Sequence, residues 1–124
     1  MASPIVKLPG PDHPITITPT DARVVVTLDG ATLADSTAAL TLQEASYPAV
    51  QYIPRADVDM AALRRTEEST VCPYKGEASY FAPVGGGVSA RGIAWSYETP
   101  HPAMAQIAGH LAFYPDRVDA ITLR

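Results

Sequence analysis

Twelve prolines and eight glycines punctuate this chain, and they fall between short β-branched runs, not in one block. Each proline fixes a dihedral and removes an amide donor, and each glycine opens left-handed backbone. Such spacing reads as frequent turns between short strands. Asp29-Gly30 is a strong instance. It separates apolar runs at residues 23–28 and 31–35, and a type I′ turn needs positive φ at both central positions, so the segment predicts a β-hairpin.

The remaining punctuation fits the same scheme. Residues 1–14 carry Pro4, Pro9, Gly10, Pro11 and Pro14, which predicts an extended arm ahead of a single domain spanning 15–124. Alternation at 15–18, about 38–44 and 50–53 predicts three strands, the last two separated by a turn through Pro48. Asp57 or Asp59 is placed to cap one or two helical turns at 60–64, and Glu67-Glu68 reads as a polar connection. A strand at 78–81 ends at Pro83. Gly85-Gly86-Gly87 reads as a hairpin tip, and 88–97 as the returning strand, with Ile93, Trp95 and Tyr97 on one face. Pro100-His101-Pro102 opens a helix whose stripe is Met104, Ile107, Ala108 and Leu111, with Gly109 near its end. Strands at 111–114 and 118–123 complete the chain. The fold class is mainly β: one small antiparallel domain, two packed sheets or a partly open barrel, with one or two short helices.

The chain's 124 residues suffice for one buried core. A net charge of −4 with scattered lysines and arginines argues against nucleic acid as partner. No apolar run approaches the roughly 20 residues of a membrane span, and the start lacks a signal-peptide pattern, so the expectation is a cytoplasmic protein off the membrane. One cysteine excludes an internal disulfide and a multi-cysteine zinc site. His13, His101 and His110 have no metal-ligand spacing, and nothing in the spacing of Glu44, Glu77 and Glu98 requires them to meet. No metal or cofactor is expected.

Residues 70–80 concentrate the chemistry. Cys72 is a candidate nucleophile, because Lys75 stands three residues on and the amides of Tyr74, Lys75 and Gly76 can converge on an anion. The alternative is a small buried core thiol. Cys-Pro-Tyr resembles the glutaredoxin motif, but Lys75 occupies the place of the second cysteine and a strand follows where a helix belongs. Tyr74, Tyr80, Trp95 and Tyr97 combine apolar bodies with polar tips, which suits a ligand pocket beside Lys75. Tyr114 belongs to the same aromatic set.

Several ordered motifs carry a resemblance. Thr70-Val71-Cys72-Pro73-Tyr74-Lys75-Gly76, Ala94-Trp95-Ser96-Tyr97, Ile107-Ala108-Gly109 and Ala112-Phe113-Tyr114 recur with Ala34-Asp35-Ser36, Tyr52-Ile53-Pro54 and Asp57-Val58. Together they resemble the bacterial family catalogued as domain of unknown function 427, over nearly the whole chain. The resemblance implies a small β structure of the Mss4-like or β-tent group, whose relatives include methionine sulfoxide reductase B and the thalidomide-binding domain of cereblon. Many of those hold zinc with two Cys-x-x-Cys pairs, which one cysteine cannot supply. The sulfoxide reductase residues have no match here, and the Gly-Ser with paired aspartates of nucleotidyltransferases is missing.

Three functions follow as expectations. The first is a small-ligand-binding β domain using Lys75, Tyr74, Tyr80, Trp95 and Tyr97. The second is a thiol-dependent enzyme using Cys72, with Tyr74, Tyr80 or Tyr97 as proton donor. The third is a structural or interaction module, homodimeric through the proline-rich arm.

Overall fold

Asp29 and Gly30 adopt φ of 51° and 79°, the two positive values that a type I′ turn demands. The turn closes a hairpin between β2 (Val24–Leu28) and β3 (Ala31–Ser36), as the sequence predicts. The computed structural model describes residues 6–86 and 91–124, and these contain ten strands. The others are β1 (Ile15–Pro19), β4 (Leu40–Glu44), β5 (Val50–Tyr52), β6 (Leu63–Cys72), β7 (Gly76–Pro83), β8 (Ala94–Ser96), β9 (Leu111–Phe113) and β10 (Ala120–Leu123). They form three antiparallel sheets in the orders β1-β4-β5, β10-β2-β3 and β6-β7-β8-β9. The mainly β, antiparallel expectation holds, and no barrel closes.

The four-stranded sheet is the middle layer. Register places Tyr80, Trp95 and Ala112 side by side on one of its faces, and Phe81, Ala94 and Phe113 on the other. The first face packs against Leu42 and Tyr52 of the β1-β4-β5 sheet, together with Met104 and Ile107. The second packs against Val24, Val26 and Leu33 of the β10-β2-β3 sheet. A sheet buried on both faces explains why its inner strands lack clean polar alternation. β5 and β9 meet through a single bridge, in which Ile53 and Leu111 exchange two backbone hydrogen bonds of 2.8 Å.

Four expectations change. Residues 63–72 form the longest strand, not a polar connection. Among the described residues β6 pairs only with β7, so Arg65, Glu67 and Glu68, all exposed, guard an edge. The segment before it holds two 3₁₀ turns, Arg55–Asp57 and Met60–Ala62, and no side chain caps either. The Asp57 carboxylate instead accepts the hydroxyl of buried Ser36 at 2.6 Å. The expected helix is a kinked 3₁₀ segment, Pro102–Ile107. Met104 and Ile107 are buried as the stripe requires, but Ala108 is exposed and Leu111 is claimed by β9, where it pairs with Ser96 and Ile53. Gly109 ends the segment at φ 71°. Ile93 does not share a face with Trp95 and Tyr97. It belongs to the opposite core cluster, because β8 begins only at Ala94.

The glycine tip and the returning strand are described only in part. Val84–Gly86 forms a 3₁₀ turn, and residues 87–90 lie outside the described residues. Among the described residues no helix is long and apolar enough to cross a membrane.

Candidate functional site

Cys72 and Gly76 face each other at the end of the β6–β7 ladder, so Pro73, Tyr74 and Lys75 form the loop between them. Gly76 sits at φ 114°, and a Cβ there would lie 3.5 Å from the His101 nitrogen and the Pro100 Cα. The close approach is used: the His101 amide donates to the Lys75 carbonyl at 2.9 Å. The loop is also fastened from the other side, by the Lys7 amide on the Pro73 carbonyl at 2.9 Å.

Held this way, Lys75 turns its chain inward and is only 8% exposed. A buried ammonium needs a counter-charge, and Glu44 at the end of β4 supplies it through a direct hydrogen-bonded ion pair. The second Glu44 oxygen shares a 2.7 Å hydrogen bond with His13 Nε2. His13 in turn stacks on the Tyr74 ring, with centroids 4.2 Å apart. Burial raises the Glu44 carboxyl, but the hydrogen bonds from Lys75 and His13 outweigh it and hold the group below its ordinary value.

Above this pair lies a cavity of about 260 Å³, lined by Glu44, Tyr52, Lys75, Tyr80, Trp95, Tyr97 and Tyr114 among others. The Lys75 ammonium stands 6.0 Å from the Tyr97 ring centroid. Trp95 donates its indole N–H to the Tyr52 hydroxyl at 3.2 Å and leans on Tyr114 with centroids 4.6 Å apart. Tyr80 shares a 2.7 Å hydrogen bond with Thr70. Burial drives the Tyr52 and Tyr97 phenols well above their ordinary value, and Tyr114 upward as well, so all three are hydroxyl donors at neutral pH. Among the described residues no group hydrogen-bonds the Tyr97 hydroxyl.

Of the residues singled out in the sequence, Lys75, Tyr80, Trp95 and Tyr97 therefore border one concavity. Tyr74 lies behind Lys75, against His13 and 6.0 Å from the Lys7 ammonium. Cys72 is half-buried against the second core cluster, with its sulfur 3.9 Å from the Lys75 ammonium, and does not line the cavity. Glu77 and Glu98 share a separate recess with Arg65, Ser79 and Thr99, away from Glu44. Among the described residues no three His, Cys, Asp or Glu side chains gather as a metal site would need.

The sequence did not place Glu44, Tyr52 or His13 at this site. A signal existed for the first two. Glu44 shares strand parity with the inward Leu42, and Tyr52 shares it with Val50. His13 has none, because its partners lie 31 and 61 positions away in the chain.

A second cavity of about 600 Å³ opens beyond Trp95. Its walls are almost wholly apolar and include Val26, Ile53, Phe113, Ile121 and Leu123. Tyr47, Pro48, Val50 and Trp95 border both spaces.

No curated protein sequence matches the chain. The family model described as "Domain of unknown function (DUF427)" matches residues 16–124. The motifs that suggested this family lie in one folded unit: Ala34 bridges Val58, Tyr52 and Trp95 share a hydrogen bond, and Lys75 and Tyr97 border one cavity. The chain belongs to the DUF427 family.

Proposed function

We propose that this chain is a small-molecule-binding protein whose ligand sits between Lys75, Glu44, Tyr97 and Trp95. One observation carries the reading: Glu44, Lys75, Trp95 and Tyr97 line one cavity of about 260 Å³, and no described residue hydrogen-bonds the Tyr97 hydroxyl. A ligand acceptor would take the place of water on that hydroxyl. The surrounding aromatic faces supply contact area, and the cavity suits a small polar head or ring. A thermal-shift screen tests the reading. A ligand at a hundred times its Kd stabilises the fold by about 2.7 kcal/mol, which is easily read. Tyr97→Phe and Lys75→Ala, each shown to be folded, are expected to weaken the hits. Hits that bind both variants as they bind the parent would place the ligand elsewhere.

A thiol-dependent reading has its own support in the 3.9 Å approach of the Lys75 ammonium to the Cys72 sulfur. The thiolate is the nucleophilic form of a cysteine. Its test is the alkylation rate of Cys72 against pH. A rate no faster than that of the unfolded chain rejects it.

A further inference from the structure

The two cavities meet where the sheets part. β5 and β9 are bridged once, at Ile53 and Leu111, and the pairing does not continue toward Val50 and Phe113. Trp95 stands in this fork and borders the tyrosine-lysine cavity on one side and the apolar cleft on the other. Tyr47 and Pro48, which also border both, are exposed loop side chains. The cleft is the larger of the two spaces, with buried Val26, Ile53 and Phe113 at its back and exposed Tyr47 and Leu123 at its rim.

The polar end has its own signature. Lys75 and Glu44 neutralise one another, so the floor does not call for a charged group. The phenols that face it are hydroxyl donors, which favour a carbonyl or amide acceptor. We infer that the fork admits the chain of an amphiphile whose uncharged, carbonyl-bearing head occupies the tyrosine-lysine cavity. This rests on the binding function proposed above and adds the ligand's chemical class. A second copy of the chain would cover the apolar cleft but would leave the polar cavity at its end without a role. A single-chain amphiphile uses both.

Isothermal calorimetry on the full chain tests it, with N-acetyl-, N-butanoyl-, N-hexanoyl- and N-octanoylglycinamide as probes. Each added methylene is expected to tighten binding about fourfold, hence roughly fifteenfold between successive members. Leu123→Glu, at a half-exposed cleft position that tolerates charge, is expected to flatten this dependence and leave the acetyl probe unaffected. Tyr97→Phe is expected to weaken every member by the same factor. Equal affinity for the acetyl and octanoyl probes overturns the inference and leaves the polar binding site standing. No binding by any member overturns the inference, and the thermal-shift screen then decides whether the polar site stands. A dimer that Leu123→Glu converts to a monomer, with no chain-length dependence, makes a second copy the occupant and also overturns it.

Discussion

Glu44 and Lys75 lie 31 positions apart in the chain and form an ion pair at the floor of the cavity, with side chains only 17% and 9% exposed. Removing Lys75 leaves the part-buried Glu44 carboxylate with only its His13 hydrogen bond. Lys75→Met is therefore expected to cost about 3 kcal/mol in urea unfolding. Replacing both, with Glu44→Leu added, is expected to recover most of that loss, because an apolar pair of similar volume carries no desolvation penalty. If the double variant is less stable than Lys75→Met alone, the pair is not the source of the effect.

The same carboxylate sets an acid limit. Its folded pKa lies below the ordinary 4.5, so the unfolded chain binds the proton more readily. The stabilisation is fully present above 4.5 and is lost as pH falls through the lowered folded value. Tyr52 and Tyr97 set the opposite limit. Burial raises them above 10, so their contribution is present below pH 10 and declines as the unfolded phenols ionise. Stability measured against pH should be a plateau with both shoulders. Glu44→Gln is expected to soften the acid shoulder, and Tyr97→Phe the alkaline one.

Gly76 is the backbone counterpart of Lys75. At φ 114°, with its Cβ direction facing the Pro100–His101 backbone, it does not accept a side chain without strain. Gly76→Ala is expected to destabilise by about 1–3 kcal/mol and to weaken any ligand that Lys75 contacts. Gly30→Ala, at φ 79° in open space, tests the distinction. It should lower stability by about 1 kcal/mol with ligand affinity unchanged.

Ser36 joins two distant motifs. Its hydroxyl donates to Asp57 at 2.6 Å and accepts the Ala38 amide at 3.0 Å, and the residue is 2% exposed. Ser36→Ala removes both hydrogen bonds, one of them to a carboxylate, with an expected loss of about 2 kcal/mol. Asp57→Asn keeps an acceptor in place and should cost less. Denaturant midpoints decide the order.

These pairs also show what a sequence can and cannot reveal. The Asp29-Gly30 hairpin was legible because its cause is local: two adjacent residues supply the two positive φ values. β6 was not, because an edge strand exposes charged residues and so resembles a connection. The Met104 and Ile107 stripe was real, but the helix was not, because β9 draws Leu111 into the sheet. At the cavity, Lys75, Tyr80, Trp95 and Tyr97 stood out by residue type. Their partners Glu44 and His13 did not, because only the packing of the sheets brings them there. The apolar cleft left no mark at all. Its walls come from five different strands and their loops, and Val26 or Ile121 alone reads as ordinary core.

Trp95 is the chain's sole tryptophan, and it stands in the wall between the two cavities. Its indole N–H is held by Tyr52 and its ring leans on Tyr114. The protein thus carries its own optical probe at the fork. Displacing water from either side of that ring changes the colour and yield of its emission, so occupancy can be followed in the unlabelled, unaltered chain.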